Sequence, residues 1–271
     1  MDRRAIGVFD SGIGGITAVQ ELRSRMPHEN IVYFGDTSRV PYGTRSREVI
    51  QRYAAQDIRF LLSQDVKMII AACGTVSSNP PAELIRQLPV DYTGVLLPAA
   101  QAACAATKNR RIGVIATAAS IRSGAYGKAI RSILHGPVIF GKACPLFVPL
   151  VENGYIDREN PVTRMVAEEY LAPLKQERID TLILGCTHYP LIREIVADIM
   201  GPQVALINPS AEAAQYVQAL LTNKGMLNDS TEEGSCRYFV SDEPSSFAET
   251  AQIFLGRDVS GQVEQIQIEQ Y

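Results

Sequence analysis

Two of the five cysteines sit in matching surroundings. Met68-Ile69-Ile70-Ala71-Ala72 runs into Cys73-Gly74-Thr75, and Leu182-Ile183-Leu184-Gly185 runs into Cys186-Thr187. In each, a buried-type strand ends in a small residue and a thiol follows. A threonine comes next, at once or one residue later. About one α/β domain's length of chain separates the two. A lone cysteine at a strand end ordinarily packs as a small apolar residue. Two in equivalent places point to reactive thiols, and a chance echo of two aliphatic strands is the alternative. A free thiol, with a pKa near ~8.5, is only slightly ionised at neutral pH, so each would need a partner that prepares it. His188, two residues past Cys186, could orient that thiol or bind a carboxylate, or be a capped structural histidine.

Other polar positions carry weaker signals. Asp10-Ser11-Gly12-Ile13-Gly14-Gly15 forms the first strand-to-helix turn. Its glycines allow close backbone approach, and the helix behind it would offer free N–H groups to an anion. Asp10 could simply cap the turn. Thr17 stands at the third glycine position of the dinucleotide fingerprint and the Walker lysine is absent, so a small carboxylate or amino acid suits the loop better than a nucleotide. Arg39-Val40-Pro41-Tyr42-Gly43 is a second loop, with Tyr42 either surface or ligand wall. Glu152 stands near a helix end, an ordinary surface position, and His28 and His135 look incidental.

The elements that must position these residues alternate along the whole chain. Apolar runs of strand length occur at 6–9, 31–34, 66–72, 92–97, 111–116, 138–140, 181–185 and 204–207. Helical spacing links Ile50, Ala54, Ile58 and Leu61, and again Leu191/Ile192, Ile195/Val196 and Ile199. Continuous apolar strands between amphipathic helices mean parallel sheets covered on both faces. The expected fold is α/β: two pseudo-symmetric, doubly wound parallel-sheet domains, each with a cysteine at the carboxyl end of a strand. The expected division is 1–97 plus 209–271 for the first domain and 98–208 for the second. A helix at 211–221 and a strand–helix–strand pattern over 236–268 would return the tail to the first domain. Ligand sites in such sheets lie beyond the carboxyl ends of the strands, where both cysteines fall.

Composition narrows the partners. Apolar residues make up 46% and charged residues 20%, ordinary for a soluble globular chain, and the net charge of −3 leaves no basic excess for nucleic acid or an anionic membrane. Neither a secretory signal nor a membrane-span-length run is present, so a cytoplasmic protein is expected. Cys73, Cys104, Cys144, Cys186 and Cys236 are odd in number and widely spaced, which fits neither a disulfide framework nor a zinc knuckle.

The segments Asp10-Ser11-Gly12-Ile13-Gly14-Gly15, Pro41-Tyr42-Gly43, Ala72-Cys73, Val114-Ile115-Ala116-Thr117, Leu150-Val151-Glu152 and Gly185-Cys186-Thr187-His188-Tyr189-Pro190 resemble the signature segments of glutamate racemases. They stand in that family's order and spacing from about residue 6 to 210. The resemblance implies an active site in the cleft between the two domains, with Cys73 and Cys186 as the two catalytic bases, assisted by Asp10, Glu152 and His188. It also implies substrate contacts from Asp10, Ser11, Tyr42, Gly43, Gly74, Thr75, Thr117, Thr187 and His188. Glutamate is then the substrate, with D-glutamate destined for peptidoglycan, and the expected assembly is a homodimer. No cofactor and no metal is expected; pyridoxal phosphate would need a Schiff-base lysine, and none stands at a strand end of the site.

The chemistry suits two thiols. Racemisation removes a proton from one face of the α-carbon and delivers one to the other, so a thiolate and a thiol flanking that carbon can exchange roles between directions. One position departs from the pattern: the family usually has Asn after the first cysteine, and Gly74 stands here. Loss of that amide predicts weaker substrate binding, which Gly74→Asn would restore as a lower KM at nearly constant kcat. Three alternatives accompany the main reading. They are an aspartate racemase or another member of the superfamily, a binding protein of the same fold with impaired turnover, and a cysteine hydrolase using Cys186 with His188. The last leaves Cys73 without a task.

Overall fold

The computed structural model describes residues 1–271. Ten strands form two wholly parallel sheets: β1 (Ile6–Asp10), β2 (Ile31–Gly35), β3 (Met68–Ala71), β4 (Asp91–Gly94), β5 (Arg111–Ala116), β6 (Val138–Ala143), β7 (Thr181–Leu184), β8 (Ala205–Ile207), β9 (Cys236–Val240) and β10 (Val263–Gln265). The first sheet has the order β10-β9-β2-β1-β3-β4 and the second β6-β5-β7-β8. The order β2-β1-β3-β4 therefore recurs as β6-β5-β7-β8. In that correspondence β3, which leads to Cys73, matches β7, which leads to Cys186. The two sheets are the cores of two α/β domains of one design, and the thiols occupy the same place in each.

Why these segments are strands follows from their burial. β1, β2, β3 and β7 are buried at every residue, as parallel strands covered by helices must be. The edge strands β6 and β10 are half-exposed. That explains one difference from expectation: β6 runs on to Ala143, because its polar Gly141-Lys142 stretch breaks no core. A second difference is larger. The run at 92–97 divides into β4, which stops at Gly94, and a helix over Leu96–Ala106. That helix is apolar on nearly every side, so it lacks the periodicity that separates helix from strand. Pro98 fits within its first turn, where the missing N–H costs nothing.

Ile50, Ala54, Ile58 and Leu61 all turn inward from the helix Arg47–Ser63, which Ser46 caps by accepting the Val49 N–H. The helix expected at 211–221 starts earlier, at Pro209, with the Asn208 side chain accepting the Ser210 N–H. It packs against the helices Ile16–Arg25 and Leu96–Ala106 and so bridges the two sheets. β9 pairs with β2, from Ile31↔Cys236 to Gly35↔Val240. The largest apolar cluster runs without a break from Ile6 and Val8 of the first sheet to Leu182 and Leu184 of the second. No helix is long and apolar enough to cross a membrane.

Candidate active site

A cavity of about 410 Å³ lies at the carboxyl ends of the strands, walled by loops of both sheets. Such a volume falls within the roughly 300–1,000 Å³ typical of small-molecule pockets. Every residue singled out from the sequence lines it. Asp10, Ser11, Tyr42, Gly43, Cys73, Gly74 and Thr75 come from the first sheet's loops, and Thr117, Glu152, Cys186, Thr187 and His188 from the second's. The strand-end geometry explains the convergence. Asp10 ends β1, Cys73 lies two residues past β3, Thr117 follows β5, and Cys186 lies two residues past β7.

The two thiols have different company. Cys73 is buried, and its Sγ donates to Ser11 Oγ at 3.4 Å. Burial, and after it the charge of Asp10, pushes this thiol up to about 12, so at neutral pH it holds its proton. Asp10 is itself pushed up by burial, against the charge of His188 and the N–H groups of Gly15 and Gly12. Its Oδ2 accepts the Gly12 N–H at 3.1 Å, whereas its buried Oδ1 has no partner. Asp10 thus caps the glycine turn and still offers one free acceptor oxygen. The expectation of free helix N–H groups for an anion does not hold. The Gly12 amide serves Asp10, and those of Ile16 and Thr17 donate to the carbonyls of Ile13 and Gly14.

Cys186 faces a histidine instead. Its Sγ lies 3.7 Å from His188 Nδ1, and His188 Nε2 lies 2.8 Å from Glu152 Oε1. Burial opposes protonation of this ring, but the bonds to Cys186 and Glu152 and their charges outweigh it and push His188 up to about 10. The imidazolium therefore persists through neutral pH, with a cation beside the Cys186 sulfur. Packing fixes the arrangement. Tyr189 is fully buried, donates to the Cys144 carbonyl at 2.9 Å, and meets Phe147 edge-on at 5.2 Å. Phe147 opens the short helix that Glu152 closes, so the two halves of the His188–Glu152 pair are held by one aromatic contact. Glu152→Gln should move the alkaline limb of kcat/KM to lower pH. The lost carboxylate is one of the groups that raise His188, so the cation disappears earlier as pH rises. A pH–rate profile checks this, and an unmoved limb would detach His188 from Glu152.

Not every lining residue presents the expected atoms. The Tyr42 hydroxyl is committed to the buried carboxylates Asp36 and Asp57, which Arg39 also clamps at 2.6 and 3.2 Å. Burial pushes the Asp57 carboxyl well above its ordinary value. Only the ring and main chain of Tyr42 remain for the cavity. Thr75 Oγ1 and Thr117 Oγ1 meet at 2.9 Å, one from each domain. Thr187 Oγ1 lies 3.4 Å from His188 Nδ1.

Gly74 has a role that its sequence context did not reveal. A Cβ there would lie 2.4 Å from the carbonyl oxygen of Gly185 in the other domain. Gly14 repeats the pattern, since its Cβ would fall 2.2 Å from Thr187 Oγ1 and 2.5 Å from the His188 ring. At both points the domains touch through a missing side chain. Sequence reading also passed over Cys144, which lines the cavity and whose thiol burial pushes up to about 12. Its signal was its place just past β6. No three His, Cys, Asp or Glu side chains converge as metal ligands.

Comparison with known proteins agrees with this geometry. Residues 17–217 match the family model described as Asp/Glu/Hydantoin racemase. The glutamate racemase of Geobacter metallireducens is 42% identical over 269 residues, 99% of this chain and 98% of that one. A crystal structure of a glutamate racemase from Bacillus anthracis superposes with a TM-score of 0.93 at 35% identity, covering 98% of each chain. That of Francisella tularensis, in complex with D-glutamate, gives 0.91 at 38% identity over 100% of both. The chain belongs to the Asp/Glu/hydantoin racemase family, among its glutamate racemases, and is an amino-acid racemase.

Proposed function

We propose that this chain interconverts L- and D-glutamate with Cys73 and Cys186 as acid and base on opposite faces of the α-carbon. The observation that carries the proposal is the pair of thiols at equivalent strand ends of two domains, both lining one cavity. In the L-to-D direction the Cys186 thiolate, beside the His188 imidazolium, takes the α-proton, breaking Cα–H and forming S–H. The Cys73 thiol, which burial keeps protonated, gives its proton to the other face. The negative charge built on the substrate carboxylate between these steps is held by hydroxyls of Ser11, Thr75, Thr117 and Thr187 and by main-chain N–H groups near Gly43 and Gly74. Asp10 Oδ1, without a protein partner, accepts from the substrate ammonium or from Cys73 when the direction reverses. Exclusion of water as the domains close on the ligand strengthens each of these contacts.

The same reading takes 1–97 plus 209–271 and 98–208 as the two domains, a homodimer as the assembly, and the cytoplasm as the place where D-glutamate is made for peptidoglycan. Glutamate is favoured over aspartate because the long, full-length matches are to proteins named glutamate racemase. The test is optical. Purified protein given L- or D-glutamate, with no cofactor added, should bring the circular dichroism to zero from either side, at the same rate after dialysis against a chelator. Unchanged ellipticity with both enantiomers, or turnover of aspartate alone, would overturn the proposal.

A further inference from the structure

A second cavity, of about 390 Å³, opens between the domains, apart from the catalytic one. Arg45 and Arg47 line it from the first domain, and Arg122 and Lys128 from the second. All four are exposed, and none forms an ion pair or a side-chain hydrogen bond, whereas elsewhere arginines such as Arg39, Arg111 and Arg158 are held by carboxylates. No carboxylate lines the cavity. Glu48, next to Arg47 in the chain, does not line it; its own N–H, the Ser46 hydroxyl and the charge of Arg47 hold its carboxyl below the ordinary value, but the two side chains form no ion pair. Four unpaired cations around one hollow stand against the net charge of −3 for the whole chain. Such a concentration repels itself unless an anion joins it.

The inner wall supplies neutral polar groups. Ser78 lines the cavity, is only 6% exposed, and its Oγ is a buried hydroxyl without a partner. Beside it, Asn79 donates to the Thr75 carbonyl at 3.0 Å, which joins this wall to a threonine of the catalytic cavity. We propose that this interdomain hollow is a binding site for an oligophosphate, held by Arg45 and Arg47 on one domain and Arg122 and Lys128 on the other. Four cations around one hollow carry more charge than one small anion brings. A chain of phosphoryl groups can reach both domains, and three of the four cations are arginines, whose planar fork matches phosphate oxygens.

Isothermal titration with sodium triphosphate and orthophosphate, at about 0.15 M ionic strength to screen loose association, tests the site. Triphosphate should bind once per chain, with orthophosphate at least roughly tenfold weaker. Pyrophosphate and ADP, run side by side, tell a free oligophosphate from the phosphate chain of a nucleotide, and saturable binding of either supports the site. Arg47→Ala and Arg122→Ala should each weaken triphosphate by roughly tenfold, the loss of one charge-assisted contact, while racemisation without anion stays at the wild-type rate. Equal binding by wild type and both variants, or loss in one variant alone, would overturn the bridging site. So would a raised KM for glutamate in the anion-free variants, which would make the cations a steering surface for substrate. A changed oligomeric state in Arg122→Ala with no triphosphate binding would assign the hollow to a second copy of the chain.

Discussion

Replacing either Cys73 or Cys186 by serine should lower kcat for racemisation by at least about 10³-fold in both directions, with KM changed little. A hydroxyl is far harder to ionise than a thiol, so the groups that prepare each sulfur would leave a serine protonated. Cys73 has Ser11 and Asp10 beside it, and Cys186 has His188 and Glu152. The two variants should fail differently. Each keeps one working thiol, so each should still eliminate from one enantiomer of a β-substituted analogue with a good leaving group, and the favoured enantiomers should be opposite. Chiral chromatography of the surviving analogue reads the outcome. Two variants that consume the same enantiomer, or one that racemises like wild type, would end the two-base assignment.

Gly74→Asn should lower kcat by about 10²-fold, the scale of a misplacement near 1 Å between catalytic groups. The sequence argued the reverse. Read alone, Gly74 is a family position that has lost an amide, and restoring the amide should tighten binding. In the fold the position faces backbone, not open cavity, and a Cβ would sit 2.4 Å from Gly185 O and 3.8 Å from Cys186 Cα. The Gly185 N–H is tied to Ile115 O at 2.7 Å, so that carbonyl cannot yield easily, and the added atom must push the domains apart. Gly74→Ala should do the same damage as Gly74→Asn, because the first carbon is the obstacle. Steady-state kinetics of both variants decide. A lower KM with wild-type kcat for Asn would restore the missing-amide reading.

How much was legible follows from which forces are local. Strands β1, β2, β3, β5 and β7 were readable because burial on both faces leaves an unbroken aliphatic run. The Cys73 and Cys186 contexts were readable for the same reason, since each thiol directly continues such a run. Asp10, Ser11, Thr117 and Thr187 followed from strand-end logic and family likeness together. Contacts between distant segments were not readable. Glu152 reads as surface until the Phe147–Tyr189 packing brings it to His188, and the Tyr42 hydroxyl reads as free until Asp36 and Asp57 close on it. Gly74 is the sharpest case, because a missing side chain carries no sequence trace of what would have filled its space. The helix Leu96–Ala106 failed for a different reason: an apolar helix in the seam between two sheets has no polar face to set its period.

The most direct test of two thiols acting on opposite faces is racemisation by the wild-type enzyme in deuterium oxide, followed at early times by mass spectrometry after chiral separation. In the proposed reaction the thiol that removes the substrate proton is not the one that supplies the new one. Product formed from L-glutamate should therefore carry one α-deuterium in nearly every molecule, while the remaining L-glutamate keeps its protium, and the reverse reaction should behave alike. Product that retains the substrate's own α-proton, or unreacted substrate that gains deuterium as fast as product forms, would mean that a single base serves both faces.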